Sequence, residues 1–236
     1  MAAQGWTGAL VVVLEGPSRW MRFLVDESGV LLSGDADGVP LASATPALVT
    51  AIETSATGVI EVEGHRWYVE VIAPDPRLLI CGAGPIAEAL CAMASQAGFR
   101  VDVVDPRAAF VAQERFPDAA SVQRAWPDTI LAAYPLDAST YVVSLLHEAR
   151  LEQGLFPPLL RSPARYIGAL GSRRTHAVRL EGLTGVGFSA DEVSRIRGPV
   201  GLDIGAVTPE EIAVAILAQM IAARRRRAGD PTGDLA

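Results

Sequence analysis

The rhythm of apolar and polar positions changes near residue 77. Before it, short apolar runs alternate with polar positions, the period-two pattern of half-buried strands. Residues 9–14, 20–25 and 30–32 are such runs, with a turn at Asp26-Glu27-Ser28-Gly29. Residues 59–62 and 67–72 flank Glu63-Gly64-His65-Arg66 and predict a hairpin, and residues 46–54 predict one short helix. Residues 1–73 therefore read as a small α+β module. Ala73-Pro74-Asp75-Pro76-Arg77 then places two prolines within three residues, which stops regular structure, so 74–77 reads as a linker.

Beyond the linker, continuous apolar runs alternate with helical stretches. Residues 78–81, 99–104, 142–146 and 166–170 predict strands buried on both faces. Residues 85–97 predict a helix with Ile86, Leu90, Met93 and Ala94 on one face and Gly98 as its stop. A helix also starts near Ser172. Thr208-Pro209-Glu210-Glu211 is a capping box with proline at the first helical position. Ile212, Ile216, Leu217, Met220 and Ile221 follow as an apolar stripe, ending in four arginines at 224–227, cations at the negative end of a helix. The expected class is α/β: a Rossmann-like parallel sheet with helices on both faces over 78–227, plus the small N-terminal module. Residues 228–236 read as a disordered tail. No internal repeat is evident.

Composition removes several chemistries. The 236 residues contain no lysine and no asparagine, and all 20 cationic side chains are arginine. A P-loop, which needs its lysine at the phosphates, is excluded. So are Schiff-base chemistry, the Ser-Lys and Cys-His-Asn catalytic sets, and N-linked glycosylation. Codon composition in a GC-rich genome accounts for the bias, but the exclusions hold regardless. The net charge of −7 argues against nucleic acid as a partner. No apolar run is long enough to span a membrane, and the N-terminus lacks the basic start of a signal peptide. Two cysteines, Cys81 and Cys91, form no disulfide framework and suit a reduced, cytoplasmic setting. Charge is uneven: residues 1–77 carry four arginines against ten acids, and the remainder sixteen against seventeen.

The most informative motif is Leu78-Leu79-Ile80-Cys81-Gly82-Ala83-Gly84-Pro85-Ile86-Ala87, a strand, G-x-G-x-x-A, then a helix. Gly82 permits the tight turn, Gly84 lets a pyrophosphate approach the backbone, and Ala87 allows close packing of helix on strand. The N–H groups of the helix N-terminus then face the anion. Asp105 ends the next strand, 23 residues after Gly82, where a carboxylate can accept from ribose hydroxyls. Two alternatives stay open: the glycines make only a tight turn, or Asp105-Pro106 is an N-cap followed by a first helical residue.

Three further places carry candidate chemistry. His147 and Glu148 follow a strand at its carboxyl end, where ligands of open α/β sheets bind, although an ordinary loop histidine is equally consistent. Gly171, Ser172, Arg173 and Arg174 end another strand and open a helix, offering a second anion site with planar guanidinium forks, or merely a capped helix with solvated arginines. Asp203 is the one carboxylate in the glycine-rich stretch 198–206, set among apolar residues, and calls for a function or for an arginine partner on the Ser172 helix. His147 and Asp203 are the candidate catalytic groups. No metal-ligand spacing is present. His65, in the expected hairpin turn, and His176, on the Ser172 helix, say less.

The stretch from Gly82 to Ala223 resembles the C-terminal Rossmann-type domain of the XdhC/CoxI family, accessory proteins of xanthine dehydrogenase and related molybdenum hydroxylases. The matching pieces are LLICGAGPIA, VDVVDPR, ERFPDA at 114–119, YIGALGSRRT and GPVGLDIGAVTPEEIAVAILA. The resemblance implies a molybdenum-cofactor chaperone that binds a molybdopterin-type cofactor, assists its sulfuration with a cysteine desulfurase and delivers it to the hydroxylase. Molybdopterin is a phosphorylated pterin, sometimes a dinucleotide, and suits a crevice with one glycine-rich and one arginine-bearing turn. The family's longer N-terminal domain carries a cysteine in a glycine-rich loop. The counterpart here, Ser33-Gly34-Asp35-Ala36-Asp37-Gly38, has none, and the family's Thr-His-Asp element stands as Leu146-His147-Glu148.

Three functions follow for test. A cofactor-binding chaperone predicts pterin or nucleotide binding without turnover. An NAD(P)-dependent oxidoreductase would use Gly82, Gly84 and Asp105, with His147 as acid–base group and Asp105 favouring NAD. A non-catalytic interaction protein would use the fold as scaffold and the acidic module as docking surface. The apolar final helix and four tryptophans permit a homodimer.

Overall fold

A computed structural model describes residues 6–146, 152 and 154–225 of the chain. Two compact units part between Pro74 and Asp75. Ala73 to Pro76 carry no regular structure, as two prolines require.

The first unit is an antiparallel sheet of five strands. They are β1 (Gly8–Val13), β2 (Arg22–Asp26), β3 (Leu31–Gly34), β4 (Gly58–Val62) and β5 (His65–Ile72), in the order β3-β2-β1-β5-β4. Alternation sends Ala9, Val11 and Val13 of β1 and Trp67 and Val69 of β5 to one face, where Phe23 meets Trp67 edge to face at 5.9 Å. Helix α1 (Leu41–Glu53) covers that face with Ala44, Leu48, Ala51 and Ile52. It starts five residues before the expected 46–54 helix and carries Pro46 inside. Burying one full helical face outweighs the hydrogen bond that proline removes. The β4–β5 turn is tighter than expected, since His65 already pairs with Val62.

The second unit holds a six-stranded parallel sheet. Its strands are β6 (Arg77–Cys81), β7 (Arg100–Val104), β8 (Ser121–Gln123), β9 (Thr140–Ser144), β10 (Tyr166–Ala169) and β11 (Ile196–Arg197). The order is β11-β10-β9-β6-β7-β8, all pairs parallel. Helix α2 (Pro85–Gln96) carries the chain from β6 to β7 on one side, whereas β9 lies on the other side of β6. The strand order therefore reverses between β6 and β9, the switch point of a doubly wound sheet.

Alternation along the strands builds two cores. Leu78, Ile80, Val101, Val103, Tyr141 and Val143 pack with Leu90 and Ala94 of α2 and with Ile216 and Met220 of α7 (Pro209–Arg225). Leu79, Cys81, Val142 and Ile167 pack on the other face with Leu159 of α4 (Phe156–Leu160) and Leu183 of α5 (Arg173–Gly185). Short helices α3 (Pro127–Leu131) and α6 (Ala190–Ser194) add Leu131 and Val193 to that second core. The sheet is covered on both faces, which is why its strands are continuously apolar. At α7 the capping box forms as the sequence predicts: Thr208 Oγ1 accepts from Glu211 N–H, and the Glu211 carboxylate accepts from Thr208 N–H. Among the described residues no helix is long and apolar enough to cross a membrane.

Candidate functional site

The carboxyl edge of the parallel sheet gathers those sequence-predicted residues that the structure describes. At the end of β6, Gly82 takes φ +109°, and a Cβ there would meet the Leu145 carbonyl carbon at 3.1 Å and its oxygen at 3.2 Å. Only glycine fits both conditions. The turn is stitched on both flanks: Gly82 N–H donates to Val104 O at 2.7 Å, and Cys81 O accepts from Leu145 N–H at 2.8 Å. Gly84 is different. Its φ of −83° suits any residue, and a Cβ there would meet nothing within 4 Å among the described residues. Pro85 takes the first helical position, Ala87 is fully buried against the sheet, and no side chain among the described residues caps the N-terminus of α2.

Asp105, one residue past β7, is 0% exposed. Its Oδ2 accepts from Ala83 N–H at 2.9 Å and from Arg107 Nη2 at 2.7 Å. Its Oδ1 accepts from Arg107 N–H at 2.8 Å and Arg107 Nε at 2.9 Å. These four bonds use the acceptor capacity of a carboxylate. Burial alone would raise its pKa, but the bonds from Arg107 and Ala83 outweigh that and hold it below the ordinary carboxylate range. Asp105 thus ties the glycine-rich turn to the end of β7. The short 3₁₀ turn beyond it is preceded by Arg107. Arg107 stacks on the Phe110 ring at 4.3 Å.

The second turn follows β10. Gly171 has φ +137°, and Ser172 caps α5 by accepting from Thr175 N–H at 3.1 Å. Arg173 and Asp203 approach to 3.7 Å with side chains 86% and 70% exposed. Asp203 is therefore solvated and loosely paired, because its glycine-rich loop runs over the surface instead of into the core. Arg174 lines a cleft of ≈ 810 Å³ with Glu152, Phe156, Thr175 and Arg179. Beneath it lies a buried network that the sequence pattern does not reveal. Ser144 donates to Glu152 Oε1 at 2.6 Å, and Arg179 Nη2 donates to Glu152 Oε2 at 3.0 Å and to Leu170 O at 3.0 Å. Glu152 and Arg179 are only 10% and 8% exposed. A serine closing an apolar strand is the one sequence signal for it. His176 presses on Gly198, where a Cβ would come within 2.2 Å of Nδ1, and burial lowers its pKa, as does nearby Arg179.

The structure brings Gly82, Gly84, Asp105, Gly171, Ser172, Arg173 and Arg174 to one edge of one sheet and places Asp203 beside the second turn. His147 and Glu148 lie outside the described residues, as do Arg226 and Arg227. Both cysteines are buried, and burial is the main cause pushing the Cys91 thiol up to about 11 and the Cys81 thiol further up. Among the described residues no cluster of three or more His, Cys, Asp or Glu could hold a metal.

A doubly wound sheet with a G-x-G-x-x-A turn at its switch point defines a Rossmann domain. Residues 78–220 match the profile of the XdhC Rossmann domain, and the chain belongs to that family. Over 159 residues it is 34% identical to a probable xanthine dehydrogenase component of Bacillus subtilis, covering 67% of this chain and 46% of the relative. Over 157 residues it is 30% identical to the Escherichia coli "Molybdenum cofactor insertion chaperone PaoD", covering 66% and 43%. The chain thus spans less than half the length of these relatives. Among solved structures, a xanthine dehydrogenase from Bacillus halodurans is similar with a TM-score of 0.68 and 26% identity, over 100% of this chain and 65% of that one.

Proposed function

We propose that this chain is an accessory protein that holds a molybdopterin-type or dinucleotide cofactor at the carboxyl edge of its parallel sheet. It would then help install that cofactor in a molybdenum hydroxylase of the xanthine dehydrogenase kind. The observation that carries the reading is Gly84. Among the described residues neither its φ nor a neighbouring atom calls for glycine, and the space left by the missing side chain fits a group brought by a ligand. A phosphate approaching the backbone at an uncapped helix N-terminus is the group that room suits. The names of the relatives, a probable xanthine dehydrogenase subunit and a molybdenum cofactor insertion chaperone, support a cofactor and a client of that kind.

The N–H groups at the start of α2 would hold a phosphate, and Arg173 and Arg174 would hold a second anionic group of the ligand. When bound, a molybdenum cofactor supplies the redox chemistry of its client enzyme. This chain binds, orients and shields. Both cysteines are buried with their thiols held protonated, so neither is placed to relay sulfur. An oxidoreductase reading gains no substrate-activating group among the described residues.

The test is co-elution of molybdopterin with the purified protein, read as pterin fluorescence after oxidation. Retention is expected for the natural sequence. Gly84→Val should lose at least about tenfold in affinity, at a stability cost of no more than about 1 kcal/mol, since the space is open and only the N-cap preference for glycine is lost. Molybdopterin eluting free of the natural protein would overturn the proposal.

A further inference from the structure

In a doubly wound nucleotide site the acid at the end of the second strand accepts from the ribose 2′-hydroxyl, whereas a nearby arginine accommodates a 2′-phosphate. Asp105 occupies the position of that acid, but its carboxylate is fully buried and its four acceptor sites are taken by Ala83 and Arg107. A ribose hydroxyl would have to displace a charge-assisted pair to reach it. What stands toward solvent at this corner is cationic. Arg107 is 37% exposed and its guanidinium is braced flat on Phe110. Arg124 is exposed just past β8 and donates from Nε to Pro106 O at 3.4 Å, so its side chain reaches the loop that carries Arg107.

We infer that the corner formed by Arg107 and Arg124 recognises a phosphomonoester on the sugar of a bound nucleotide, and not a free sugar diol. Guanidinium groups match the planar, bidentate geometry of a phosphate dianion. Fixing Arg107 by Asp105 and Phe110 removes rotamer freedom before the ligand arrives. Arg107 and Arg124 are then specificity-determining residues, while Asp105 is a positioning residue that never touches the ligand. The inference rests on the 82–87 turn holding a phosphate, but not on the ligand containing molybdenum.

Isothermal titration of the full chain with NADP⁺ and NAD⁺ tests it. NADP⁺ is expected to bind at least about tenfold more tightly. Arg124→Ala, an exposed change that leaves the Asp105 clamp intact, should reduce that ratio by about threefold or more while leaving NAD⁺ affinity in place. Arg107→Lys, which keeps the charge but loses the fork, should also narrow the ratio. Equal or tighter binding of NAD⁺ overturns the inference, as does binding of neither nucleotide. Molybdopterin retention in the fluorescence assay stands or falls separately, so the two readings are told apart.

Discussion

The two turns at the carboxyl edge solve the same problem in opposite ways. The 82–87 turn is rigid in frame and open in backbone: Asp105 and two backbone bonds fix it, and no side chain among the described residues caps the helix that follows. The 171–174 turn is partly capped and open in side chain: Ser172 takes the Thr175 N–H, and Arg173 and Arg174 stand at the surface. One offers preset N–H groups and the other adjustable guanidinium forks. In a chain without lysine these two devices are the main means of holding an anion. Placing them on either side of the switch point separates the part that must be built accurately from the part that can adapt.

This contrast is broken most directly at Asp105. Asp105→Ala leaves Arg107 and the Ala83 N–H without their buried acceptor and should lower unfolding free energy by about 3 kcal/mol at neutral pH. Urea denaturation measures it, and a loss under about 0.5 kcal/mol would mean the clamp is not what fixes the turn. The pH dependence has a definite sign. The folded carboxyl lies below its unfolded value, so its contribution is present above about pH 4 and is lost as pH falls through the folded value. The natural protein should therefore lose stability in acid more steeply than the variant.

Gly82 tests the same frame with a smaller effect. Gly82→Ala forces an alanine into positive φ and against the Leu145 carbonyl. A loss of about 1–3 kcal/mol is expected, visible as a lowered thermal midpoint. An unchanged midpoint would show that the turn relaxes and that the rigid half of the comparison fails.

The sheet was legible in the sequence because strands buried on both faces are continuously apolar. β8 and β11 were not, because they are the short edges, Ser121-Val122-Gln123 and Ile196-Arg197, with little to bury. The expected 142–146 strand instead runs from Thr140 to Ser144, since both polar ends are satisfied inside and Leu145 and Leu146 are buried beyond the strand. At the site, spacing located the two turns and Asp105. It could not show that Arg107, two residues on, would saturate that carboxylate, or that Glu152 and Arg179 would pair beneath the second turn. Such pairings depend on three-dimensional proximity that no periodicity encodes.

The finest test separates structure from binding at the second turn. Arg173 and Arg174 are exposed, and among the described residues the ion-pair partner of Arg173, Asp203, is itself solvated at 3.7 Å. Surface pairs of this kind contribute little, so the double change Arg173→Ala, Arg174→Ala should alter unfolding free energy by no more than about 0.5 kcal/mol. Ligand affinity should nevertheless fall about tenfold or more, because forks that matter little to the fold are the ones free to meet a phosphate or carboxylate. Molybdopterin retention and denaturant unfolding on the same preparation read both quantities. Stability lost together with affinity would make the second turn part of the frame, and unchanged affinity would remove it from the site. Only the split, with binding lost and folding kept, supports a division of labour in which backbone holds one end of the ligand and side chains hold the other.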